Sequence, residues 1–122
     1  MLADKRVSYL GGRFQELSSH LSRFEILFAM RVISNKALTD FSVAHPEASV
    51  SLQTWRKVIE LSVFTSFASL KNTFNTVDKV GLFYVFDIGG NKYRVVAAIH
   101  FDHQKLYIRH VFTHKEYDKW KP

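Results

Sequence analysis

The chain has 122 residues, 47% hydrophobic and 23% charged, which suits one globular domain and excludes disorder as a global description. It contains no cysteine, so disulfide scaffolds, thiolate metal sites and cysteine nucleophiles are excluded together. Lys plus Arg number 17 against 11 Asp plus Glu, and the net charge of +6 favours polyanionic partners, nucleic acid or an acidic protein among them.

Residues 1–29 differ in pattern from the remainder of the chain. Gly11-Gly12 precedes Phe14, Leu17, Leu21 and Phe24, whose steps of three and four place them on one face of a helix. This segment is expected to be an appended amphipathic helix or the product of an upstream start. Charged residues interrupt it too often for a secretory signal, and no apolar run reaches the ~20 residues of a membrane span. The domain proper is expected over 30–122. Met30 to Ile33 reads as a short strand, and Ser34 can cap a helix with Ala37, Leu38, Phe41 and Ala44 as its stripe, stopped by His45-Pro46. Pro46-Glu47 suits the first turn of a second helix, with Leu52, Trp55, Val58 and Ile59 facing inward and Arg56, Lys57 and Glu60 facing water. Ser66 to Phe74 can add a further turn or two.

Beyond Lys79 the hydrophobic period falls to two. Leu82–Ile88, Lys92–Phe101 and Leu106–Phe112 read as strands, separated by turns at Gly89-Gly90-Asn91 and Asp102 to Lys105. The order predicts an α+β domain, with helices on one face of a mostly antiparallel sheet. A tail, Thr113 to Pro122, closes the chain.

In the central strand Tyr93, Val95, Ala97, Ile99 and Phe101 make the better core face, which leaves Lys92, Arg94 and His100 on the other. Strict alternation in the last strand then puts Arg109 beside Arg94. Such a cluster can grip phosphate through bidentate arginines, or can be a solvated sheet face. His100, His103, His110 and His114 do not share a strand face, so no metal site is expected. The tail offers His114 for proton exchange and Tyr117 for positioning or stacking, and equally Tyr117 and Trp120 as a cover for the sheet edge.

Tyr84 to Ala97, Tyr107-Ile108-Arg109 and Thr113 to Asp118 together resemble the HigB family of bacterial toxins, as does the opening Met30 to Ser34 with Lys36-Ala37-Leu38. The resemblance covers about residues 30 to 120 and implies a RelE-like fold. It also implies an endoribonuclease that cuts messenger RNA on translating ribosomes in the cytoplasm. The reaction expected is metal-independent attack by the ribose 2′-hydroxyl, with no cofactor, and the partner expected is a HigA-type helix-turn-helix antitoxin. Carried onto this chain, Arg94, His114, Tyr117 and Arg109 are the expected catalytic residues. Lys92, His100, Lys115 and Lys119 are expected to contact RNA or phosphate, and Thr113 to orient the tail. Asp87 and Val85 stand where RelE relatives place lysines, which leaves the general base open. His110 is expected to be buried and neutral. The rival reading is a catalytically silent RNA- or protein-binding module that uses the same basic face.

Overall fold

A computed structural model describes residues 28–122; the expected N-terminal helix lies outside the described residues, apart from the last two positions of its segment. The elements are β1 (Arg31–Ile33), α1 (Asn35–Ala44), a short 3-10 turn (Pro46–Ala48), α2 (Ser49–Glu60), α3 (Phe67–Thr73), β2 (Asp78–Val80), β3 (Phe83–Ile88), β4 (Tyr93–His100), β5 (Lys105–Thr113) and α4 (His114–Lys119). Among the described residues five strands form one sheet in the order β1-β5-β4-β3-β2. Of its pairings β1–β5 is parallel, and β2 to β5 form an antiparallel meander. The α+β architecture expected from the sequence is present, with β2 and α4 added to it.

Helix α2 buries Leu52, Trp55, Val58 and Ile59, the stripe that its spacing requires. Of these, Leu52, Trp55 and Ile59 meet Leu38 of α1, Leu70 of α3, and Phe86, Ile88, Tyr93, Val95 and Ala97 of the sheet in the core. Ser66 caps α3 through a reciprocal pair with Ser69, so that element is a defined helix. In two places the first helix departs from expectation. Ser34 sits at its N-cap with a φ of 80° and makes no side-chain cap, and Ala44 at the opposite end is exposed. The left-handed Ser34 backbone turns the chain into α1, and its carbonyl accepts from Ala37 N–H at 2.9 Å.

The β3–β4 hairpin turns through Gly89 at a φ of +65°, where a Cβ would lie 3.1 Å from the Tyr93 ring. On β5 the ladder jumps: Val96 pairs with His110 but Ala97 pairs with Ile108, leaving Arg109 as the extra residue of a β-bulge. Strict alternation therefore fails along this strand. Phe112 and His110 lie opposite Arg94 and Val96, while Val111 and Ile108 lie opposite Val95 and Ala97 on the core side.

The core is fastened at the rim of β4 by the Tyr93 hydroxyl, which donates to Glu47 at 2.8 Å. The Glu47 carboxyl is held below its usual range by its own backbone N–H and by this hydroxyl, and the Tyr93 phenol is pushed up by Glu47. The lowered carboxyl gives stability that is present near neutrality and lost as pH falls through its folded value; the raised phenol gives stability lost as pH climbs above about 10. Tyr93→Phe is expected to lower stability at neutral pH and to shrink both losses. Urea unfolding of parent and variant at acidic, neutral and alkaline pH measures this, and unchanged pH slopes would contradict it.

Candidate active site

The face of the sheet opposite α1–α3 carries α4. Thr113 ends β5 and caps α4 in a reciprocal box: its hydroxyl accepts from Glu116 N–H at 3.2 Å, and Glu116 Oε1 accepts from Thr113 N–H at 2.8 Å. The expected role of Thr113 in orienting the tail is thus met by a helix cap. His114 N–H adds a bond of 3.0 Å to the Lys92 carbonyl, fixing the helix start against the hairpin. A six-residue helix is too short to persist alone, so these bonds and its inward side chains hold it.

Arg94 is the centre of the arrangement, and only 8% of its side chain is exposed. Its Nε lies 2.9 Å from Asp87 Oδ1, directly across the β3–β4 ladder. One terminal nitrogen, Nη1, donates to the carbonyls of Asn91 and Tyr93 at 3.1 and 3.2 Å. The other, Nη2, donates to Asn91 Oδ1 at 2.7 Å and meets His114 Nδ1 at 3.0 Å. All three nitrogens of the guanidinium are therefore engaged. The same group lies 5.6 Å from the centre of the Tyr117 ring.

This geometry determines the chemistry of the two tail residues. A guanidinium only donates, so His114 Nδ1 accepts and the proton of the neutral ring sits on Nε2. Asp118, one helical turn on, lies 3.8 Å from that Nε2. Burial pushes the Tyr117 phenol up, Asp78, Asp87 and Asp118 push it further, and Arg94 partly offsets them. Tyr117 is consequently a hydroxyl donor near neutral pH and not a phenolate base.

Trp120 continues the aromatic surface. Its ring is 5.9 Å from Tyr117, 5.8 Å from Phe83 on β3, and 5.7 and 6.1 Å from His110 and Phe112 on β5. It thus bridges β3 to β5. Tyr117 and Trp120 lie against the sheet, as the covering role of the tail requires.

Arg94, His114 and Tyr117 are brought together as expected, but the basic cluster is smaller than alternation suggests. Arg109 is not beside Arg94: the bulge displaces it, and its guanidinium lies 5.6 Å from the Tyr107 ring centre. His100 shares the face of Arg94 but stands six residues along β4, about 20 Å at ordinary strand rise. It pairs with Lys105 and sets its ring edge against Tyr107. Lys92 occupies the turn, where its charge helps lower Glu47 on the helix side. Lys115 and Lys119 are exposed, at helical positions on the far side of α4 from Tyr117. His110 is exposed, not buried, because the bulge turns it outward to stack on Phe112 at 5.0 Å.

Asp87, Asn91 and Asp118 are the site residues that sequence reasoning missed. Counting the hairpin ladder back from Ile88–Tyr93 would have placed Asp87 opposite Arg94; nothing in the sequence shows that Asn91 turns back onto the guanidinium. A cleft of about 500 Å³ opens beside this corner, lined by Thr76, Asp87, Gly90 and Asn91. Among the described residues no three His, Asp or Glu side chains gather as metal ligands would, and no helix is long and apolar enough to cross a membrane.

Residues 48–120 match the model of the HigB toxin family, described as the RelE-like toxic component of a toxin-antitoxin system. The chain is 41% identical over 92 residues to the mRNA interferase toxin HigB of Escherichia coli K12, covering 73% of this chain and 88% of that protein. The mRNA interferase HigB of Shigella flexneri matches to the same extent. The mRNA interferase HigB of Escherichia coli O6:H1 is 29% identical over 93 residues, 74% of this chain and 90% of its own length.

Removing the Thr113 cap is expected to loosen α4 selectively. Thr113→Ala should cost about 1 kcal/mol locally and speed amide exchange at Glu116 and Tyr117 roughly fivefold, with β4 amides unchanged. Hydrogen exchange followed by NMR measures it, and equal protection in the variant would show that the cap does not hold the tail.

Proposed function

The chain belongs to the HigB family of RelE-like toxins, the toxic components of toxin-antitoxin systems, and on that premise we propose that it is an endoribonuclease that cleaves messenger RNA. The observation that supports this most directly is the convergence of Arg94, His114 and Tyr117 at one corner of the sheet, where His114 is exposed. The reaction proposed is attack by a ribose 2′-hydroxyl on the adjacent phosphate. The 2′-oxygen bonds to phosphorus as its proton passes to water, and the P–O5′ bond breaks. The 5′-oxygen takes a proton from His114, leaving a 2′,3′-cyclic phosphate and a 5′-hydroxyl.

Arg94 has two duties in this scheme. In the free protein its Nη2 holds the His114 ring by Nδ1. A substrate phosphate competes for that edge, and a planar fork suits it better than a ring nitrogen. As Nη2 turns to the phosphate, Nδ1 is released and takes a proton from solvent, and the imidazolium that forms is the acid that protonates the leaving oxygen. Tyr117, kept as a phenol, donates to the phosphate or packs against the cut nucleotide. Exposed Lys92, His100, Arg109, Lys115 and Lys119 are proposed to attract the flanking RNA, in keeping with the net charge of +6. Translating ribosomes in the cytoplasm are the proposed setting, and a HigA-type helix-turn-helix antitoxin the proposed inhibitor.

Induced expression of the chain should arrest growth and produce messenger RNA with new 5′ ends inside coding sequence. His114→Gln should retain the fold by circular dichroism and lower cleavage by about 10²- to 10⁴-fold, the usual contribution of a positioned acid. Arg94→Lys, which keeps charge but loses the fork, should be similarly impaired. Growth arrest at parental strength in a folded His114→Gln protein would reject the site.

A further inference from the structure

We propose that His110, Phe112 and Trp120 form a stacking platform for a nucleobase of single-stranded RNA, beside the cleavage corner. The proposal rests on the endoribonuclease reading and adds to it a base-binding subsite. Its first support is the bulge at Arg109, which puts Phe112 directly across the ladder from Arg94 and turns His110 onto the same face. In the regular alternation of β5 both would have pointed toward the helices. Bulges that re-aim side chains in this way cluster near functional sites.

The second support is the arrangement of the rings. His110 lies on Phe112 at 5.0 Å with planes 12° apart, and Trp120 flanks both. Trp120 also joins them to Tyr117, whose ring lies against Arg94, so an aromatic path runs without a gap from the guanidinium to His110. His110 is exposed, and among the described residues its side chain makes ring contacts only, with no hydrogen bond or ion pair. Both its ring nitrogens are open to the edge of a base. A π-face stacks any base, while the neighbouring exposed Arg109 can meet the phosphate of the stacked nucleotide.

The test uses the full chain and a short 2′-O-methyl single-stranded RNA, which binds but lacks the attacking hydroxyl. An abasic strand of equal length carries the same charge without rings. The RNA should quench tryptophan fluorescence and the abasic strand should not. Trp120→Phe should abolish the quench, since Trp55 is only 4% exposed. His110→Ala should weaken RNA binding by about five- to a hundredfold and leave the abasic strand's affinity unchanged. Equal quenching by both strands, or parental RNA affinity in His110→Ala, would overturn the platform. Cleavage in a translating extract is scored separately: parental cleavage with no base-dependent quench overturns the platform alone. A base-dependent quench supports the platform even where the same extract shows no cleavage, an outcome that overturns only the reaction.

Discussion

The three nitrogens of one buried guanidinium hold the candidate-site corner of this molecule together. Arg94 spans the β3–β4 hairpin by its ion pair to Asp87, closes the turn by its bonds to Asn91, and reaches the tail through His114. A charge this buried is tolerated only when its donors are satisfied, and removing one partner of such a pair is costly. Hairpin, turn and tail helix are thereby obliged to take up one relative position. The geometry of the proposed site and the local stability have the same cause.

The tail shows how little is needed to place two side chains beside that centre once it exists. Helix α4 is one and a half turns long, held by a threonine cap at its start and by Trp120 at its end. Between those fixtures His114 and Tyr117 fall on the side that faces Arg94. The core beneath contributes rigidity: Val95 and Ala97 of the same strand are buried with α2, so the backbone that carries Arg94 has no room to shift.

Much of this was legible in the sequence because it depends on periodicity and on local motifs. The stripe Leu52, Trp55, Val58, Ile59 defined α2; the glycine-rich turn defined the hairpin; and the tail motif marked His114 and Tyr117. The failures have specific physical reasons. One extra residue at Arg109 reversed the facing of β5, so Arg109 was expected beside Arg94 and His110 in the interior. An alternating pattern carries no sign of such an insertion. The helical tail was missed because six residues hold too little periodicity to register, although the Thr113–Glu116 spacing was a cap signal in plain view. The three residues of β2 are likewise too few to show alternation. The engagement of Arg94 by its own chain is a tertiary fact that no spacing encodes.

The strand at the β2 end of the sheet is three residues long, with Asp78 and Lys79 as two of them, and it stops at Gly81 in a left-handed turn. A strand that brief and that charged is a poor template for another chain to extend. That border of the sheet therefore resists growth into ribbons by edge-to-edge pairing.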